Sequence, residues 1–258
     1  KAVRSLLKKK KINLTILKNK QKIKKNIQSH AREVRYKLLL NFCNKHKIKF
    51  ILTGHHRDDQ IETFLIRLSR GSGVQGLSSM KKISSLNNKT RLIRPLLDEK
   101  KQDLIFLAKQ YFGKIFKDPS NSNQKYLRTK IRSLIKKFEK SGIKQDRIIS
   151  SINNLGATRD TLNTYVCRVE KDCVTKKKKE VSISLKIFLL ENNEIQLKIL
   201  SNCIKIVAKS YYPPRAKKII NLLVKVKSDK KLKATLGGCI IQKIQNNLII
   251  YKEQLKKA

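Results

Sequence analysis

The chain has 258 residues, enough for one large domain or two modest ones that each bury a core, and carries 62 Lys plus Arg against 18 Asp plus Glu, a formal charge of +44. Such a field gathers phosphate and points to nucleic acid, with lysine-rich drift (48 Lys, 14 Arg) as the bland source of the same number. Five scattered cysteines without a CxxC pair argue against a disulfide framework or zinc ribbon and fit a reducing cytoplasm; no apolar run reaches the roughly 18 residues of a membrane span, and no signal peptide opens the chain.

Lys1 is not methionine and begins what reads as a helix, so the expectation is a chain lacking its true amino terminus. Lys11 to Leu17 alternates as a short strand would, and Lys18 to Lys25 is a basic loop. Asn26 suits the N-cap of a helix from Ile27 to Lys45, with Val34, Leu38 and Phe42 on one face. Ile48 to Thr53 reads as a buried strand with Gly54 as the turn out of it. From Asp58 to Ser69, Ile61, Phe64, Leu65 and Leu68 recur at helical spacing. A Gly/Ser loop follows to Ser79, then a strand over Leu92 to Leu96 and a helix from Asp98 through Phe112.

Alternating strands and helices predict an α/β domain, a Rossmann-like parallel sheet with flanking helices, over residues 1–118. Ligands in such folds gather outside the carboxyl ends of strands, where His55 to Glu62 falls. After Asp118-Pro119-Ser120-Asn121 the pattern turns helical, through Ile131 to Phe138 and Ile148 to Val169, and Lys176 to Lys179 reads as a linker or a solvated turn. A helix after Tyr211-Tyr212-Pro213-Pro214 and a hairpin, Ala234 to Ile241 with Gln245 to Tyr251, complete a smaller, mainly helical domain over 119–258.

His55-His56-Arg57-Asp58-Asp59-Gln60-Ile61-Glu62 places three carboxylates within five positions of a chain poor in them. Helical spacing puts Asp59 or Asp58 on the face of Glu62, able to grip an ammonium group or a metal ion; the bland alternative is acids that only cap a helix. Metal is the weaker reading, because His30 and His46 offer no second set of ligands, and no metal site is assigned. Gly71-Ser72-Gly73 could present N–H groups to phosphate or simply end a helix, and Arg32 and Arg35 could face the same cleft or solvent.

The string from Thr53-Gly54-His55-His56 to Thr63, with Arg67, Arg70-Gly71-Ser72-Gly73 and Gly76-Leu77, resembles the signature of the tRNA(Ile)-lysidine synthetase family of the PP-loop ATP pyrophosphatase superfamily. Asn26-Ile27-Gln28, Ala31 to Tyr36, Arg94-Pro95-Leu96-Leu97, Asp118 to Asn121 with Arg128 and Arg132, and Thr235 to Cys239 match in the right order.

The resemblance implies a cytoplasmic ligase that uses ATP and Mg²⁺ to join L-lysine to C2 of the wobble cytidine of a CAU-anticodon tRNA(Ile), through an adenylated cytidine, and it admits a homodimer. By motif match, Asp59 and Glu62 hold the lysine, Arg35 and Arg132 stabilise phosphate or carboxylate charge, and Asn121 and Arg128 touch substrate. Gly54, His55, His56, Arg70, Gly71 and Gly73 line the nucleotide cleft. The superfamily's Ser-Gly-Gly-x-Asp-Ser loop has no match in these residues, so the chain alone is expected to bind ATP poorly and not to turn over. Two other readings are a non-catalytic basic tRNA-binding protein with a decayed α/β domain, and a PP-loop tRNA thiolase, disfavoured because its chemistry commonly uses paired cysteines.

Overall fold

The computed structural model describes residues 2–19, 27–87, 89–116, 127–178, 180–210 and 213–253, with the side chains of 27–29 left aside. Two compact units divide after Gly156, within one long helix, whereas the sequence reading divided the chain at 118.

The first unit contains α1 (Ala2–Lys9), α2 (Ile27–Lys45), β1 (Phe50–Leu52), α3 (Arg57–Leu68), α4 (Val74–Leu77), β2 (Ile83–Ser85), β3 (Arg91–Ile93), α5 (Lys101–Phe112), α6 (Leu127–Lys140) and the start of α7 (Gln145–Cys173). Its sheet has the order β1-β3-β2, with β1 parallel to β3 and β2 antiparallel to it. The α/β expectation holds, in a mixed rather than purely parallel sheet. Tyr36, Leu39 and Leu40 of α2 pack on Ile51 and Leu92, while Ile61 and Leu65 of α3 meet Ile131 and Ile135 of α6. That second contact brings α6 to the candidate site.

The strand expected over Lys11 to Leu17 does not form. Ile12, Leu14 and Ile16 stand exposed in irregular backbone, because alternation makes a strand only where a neighbouring strand takes up its hydrogen bonds. The helix expected from Asp98 begins at Lys101 and stops at Gly113, whose φ of 67° suits a glycine C-cap.

The second unit contains the rest of α7, β4 (Val174–Lys176), β5 (Glu180–Ser184), α8 (Leu185–Phe188), α9 (Asn193–Ala208), α10 (Ala216–Ser228), β6 (Lys233–Leu236), β7 (Cys239–Ile244) and β8 (Asn247–Lys252). It is more sheet-rich than expected: its antiparallel sheet has the order β4-β5-β8-β7-β6. Of the two readings of the basic run at Lys176, the turn is the one seen: β4 ends at Lys176 and pairs with β5, and the Lys177 N–H donates to the Glu180 carbonyl at 2.9 Å. The strand read over Ala234 to Ile241 is broken at Gly237-Gly238, both with positive φ. A side chain at Gly237 would stand 3.0 Å from Pro214 and 3.2 Å from Ile204, so glycine alone fits there.

Phe188, Ile199, Leu200, Ile204, Val226, Ile241, Leu248 and Ile250 form a core closed to solvent. The five cysteines are free; burial pushes the Cys173 thiol up to about 11 and Cys203 to about 12, leaving both as packing residues rather than nucleophiles. Among the described residues no helix is long and apolar enough to cross a membrane.

Candidate active site

Helix α3 starts at His56, an N-cap in extended backbone (φ −125°), and its first-turn acids do different jobs. The His56 N–H donates to Asp59 Oδ2 at 3.0 Å, so Asp59 satisfies a backbone group that the helix cannot. Asp58 Oδ1 accepts the Lys101 N–H at 3.3 Å and ties α3 to the start of α5, a role different from the capping of its own helix considered from sequence. Arg57 pairs with Asp146 of α7.

Glu62 lies one turn further along and is only 2% exposed. Its Oε1 accepts from Arg132 Nε of α6 at 2.5 Å, while its Oε2 is buried without a hydrogen-bond partner among the described residues. The hydrogen bond to Glu62 raises the Arg132 pKa above its ordinary value, with Asp59 and Asp58 adding to the effect. A buried carboxylate with one oxygen held and the other open is built to receive a hydrogen-bond donor, because an unmet buried acceptor is costly.

His55 sits at the exit of β1, half-buried, sharing a hydrogen bond of 2.8 Å with Thr53 Oγ1. Burial lowers its pKa; Arg94, Arg32 and Arg128 push the same way and Asp59 opposes them. His55, Asp59, Arg32, Arg94 and Arg128 therefore share one electrostatic neighbourhood. A lowered folded pKa means that the unfolded chain takes up protons first as pH falls. Stability should hold above the ordinary value of 6.5 and drop below it, until the lower folded pKa is passed. The melting temperature should fall more steeply between about pH 8 and about pH 5 for the unsubstituted chain than for His55→Gln; equal slopes would remove this role.

Arg35 is exposed and makes no ion pair among the described residues, whereas Arg32, three positions earlier, stacks on Tyr36 at 5.0 Å. Gly54 is also exposed. Asn121 and the helix cap Asn26 lie outside the described residues.

His55 precedes the start of α3 and Arg70, Gly71 and Gly73 follow its far end, the helix between them rising about 17 Å from Arg57 to Leu68 at 1.5 Å per residue. The loop after α3 is pinned. Arg67 donates to the Gly76 and Ser79 carbonyls at 2.7 and 3.0 Å, and Gln60 exchanges two hydrogen bonds with the Met80 backbone. A methyl on Gly76 would stand 2.6 Å from Ser72 Cβ. Gly76→Ala should cost about 1–3 kcal/mol in urea unfolding through overpacking, and an unchanged midpoint would show that the loop yields freely.

Two contributors were not singled out from sequence. Gln60 braces the loop, and buried Arg94 donates to the Lys81 carbonyl at 2.7 Å while biasing His55. Their only sequence signal was membership in matched strings. A charged cleft of about 390 Å³ opens beside the start of α3, lined by Arg57, Asp58, Lys100, Lys101, Lys144 and Asp146 among others. Among the described residues no group of three or more His, Cys, Asp or Glu is placed to hold a metal ion.

With this geometry in place, comparison with known proteins is decisive: the PP-loop domain family matches residues 1–138. The chain belongs to that family. The PP-loop match covers α1 through most of α6, the elements that assemble the His55, Asp59, Glu62 and Arg132 cluster. Among similar proteins, a tRNA(Ile)-lysidine synthase of Wolbachia pipientis wMel is 38% identical over 236 residues, covering 91% of this chain and 54% of the relative. Proteins of the same name from Orientia tsutsugamushi (strain Boryong) and Rickettsia felis (strain ATCC VR-1525 / URRWXCal2) are 36% and 34% identical, covering 88% and 90% of this chain and 53% and 54% of their own lengths. The PP-loop chain thus spans about half the length of the curated relatives it matches.

Proposed function

We propose that this chain carries the lysine-handling part of a ligase that joins L-lysine to C2 of the wobble cytidine in a CAU-anticodon tRNA(Ile). The observation that carries the reading is Glu62, buried with Oε2 unmet and one helical turn from Asp59. The names of the relatives, which are tRNA(Ile)-lysidine synthases, support the same substrates.

In this reading the C2 oxygen of the cytidine attacks the α-phosphate of ATP and pyrophosphate leaves; the neutral ε-amine of lysine then forms the C2–N bond and AMP departs. Lysine enters as a cation, so the two acids receive its ammonium charge. The attacking nitrogen must lose its proton, which a poorly hydrated site favours. The base reaches the phosphate more easily from an unpaired anticodon loop than from a duplex. His55, held neutral by its lowered pKa, lines the nucleotide side with Arg32, Arg94 and Arg128, whose charges suit phosphate. ATP and Mg²⁺ are the cofactors of this reading.

The test is AMP release from ATP in the presence of tRNA(Ile) and lysine, measured on a full-length protein that joins these residues to a Ser-Gly-Gly-x-Asp-Ser loop, since the chain alone is expected not to turn over. Release that requires lysine and the CAU anticodon supports the proposal. Salt-sensitive tRNA binding that neither ATP nor lysine alters would favour the non-catalytic RNA-binding reading instead.

A further inference from the structure

From the Glu62–Arg132 geometry we infer that Arg132 is a specificity-determining residue, which makes the site accept an alkylammonium and refuse a guanidinium by occupying one of the two oxygens of Glu62. The inference rests on the proposed reading of Glu62 as the amine-receiving acid.

A carboxylate offers a guanidinium two coplanar oxygens, and the fork of two parallel N–H groups is what makes that pairing strong. Glu62 cannot offer both. Arg132 Nε already holds Oε1, and with the carboxylate 2% exposed no solvent-facing alternative exists for it. Only Oε2 is left, without a partner and shut off from water.

One open oxygen suits an ammonium, whose three N–H donors diverge and take one acceptor each. A second acceptor is close by, because Asp59 lies three residues away on the same helix. A guanidinium held at a single oxygen would keep its other donors buried and unmet, the arrangement from which enzymes draw their largest discrimination. Asp59 and Asp58 add to the pull of Glu62 on Arg132, so three carboxylates act on cationic charge at this point.

The experiment is titration calorimetry of L-lysine and L-arginine against the full polypeptide, unsubstituted and as Arg132→Met and Arg132→Lys. The unsubstituted protein should favour lysine by about tenfold or more. Arg132→Met frees Oε1 and should shift that ratio toward arginine by about tenfold, whereas Arg132→Lys, which restores a single donor, should return it to within about threefold of the original. Equal weakening of both ligands in Arg132→Met would assign Arg132 a purely structural role and overturn the inference. Should Arg132→Met fail to fold, the unsubstituted protein still decides, since equal affinity for the two amino acids overturns the inference by itself. Binding of neither overturns the functional reading, and this inference with it.

Discussion

Arg132→Ala is expected to destabilise the first unit by about 3–5 kcal/mol, because it leaves the Glu62 carboxylate charged and unpaired in the interior. The loss should exceed what the missing contact is worth as an ion pair. Removing one member of a buried pair exposes the desolvation cost of the other, while replacing both removes that cost. Glu62→Gln combined with Arg132→Met should therefore recover most of the lost stability. Denaturant unfolding of the two single variants and the double variant forms a closed cycle. If Arg132→Ala costs less than about 1 kcal/mol, the pair behaves like a surface salt bridge and the buried reading fails.

The second large effect falls on catalysis. Glu62→Gln and Asp59→Asn keep shape but remove charge, and each should reduce the lysine-dependent step by about 30- to 4,000-fold, the equivalent of about 2–5 kcal/mol for an unpaired buried ion. On the proposed reading, binding of tRNA should stay within about twofold, with the same salt slope, since carboxylates do not neutralise phosphates. Lysine-dependent AMP release and filter-binding affinity, measured on the same preparations, check the two halves. Equal loss of both would mean that Asp59 and Glu62 serve only the fold.

The two acids differ in what they can contribute. Asp59 already accepts the His56 N–H through one oxygen, so its substitution also weakens the start of α3. Glu62 caps nothing, and among the described residues the only side-chain hydrogen bond it makes is to Arg132. A larger kinetic effect at Glu62 together with a larger loss of helix stability at Asp59 would separate binding from capping.

Sequence by itself determined the elements whose reasons are local. Helix α3 follows from apolar residues at helical spacing behind first-turn acids, and β1 from an apolar run ended by a turn. It also carried the ordered motifs, all but Thr235 to Cys239 falling within the residues 1–138 that match the PP-loop family, and the scarcity of acids that singles out Asp59 and Glu62. What depended on partners was not legible. The alternation of Ile12, Leu14 and Ile16 looks the same with or without a neighbouring strand, and a lysine run reads equally as linker or turn until β4 and β5 pair around it. The long apolar stretch of α9 passed unremarked because its reason for existing is the distant sheet that it covers.

Only the tertiary structure decided how the acids are shared out. Spacing allowed either Asp58 or Asp59 to pair with Glu62, but Asp58 is taken by the start of α5, seen in the Lys101 N–H that it accepts. Arg132, 70 residues away in sequence, reaches Glu62 because α6 packs on the apolar face of α3 through Ile131 and Ile135. Charge and periodicity report what a residue offers its neighbours. Which neighbour arrives, and which oxygen it leaves open, is set by packing between elements far apart in the chain.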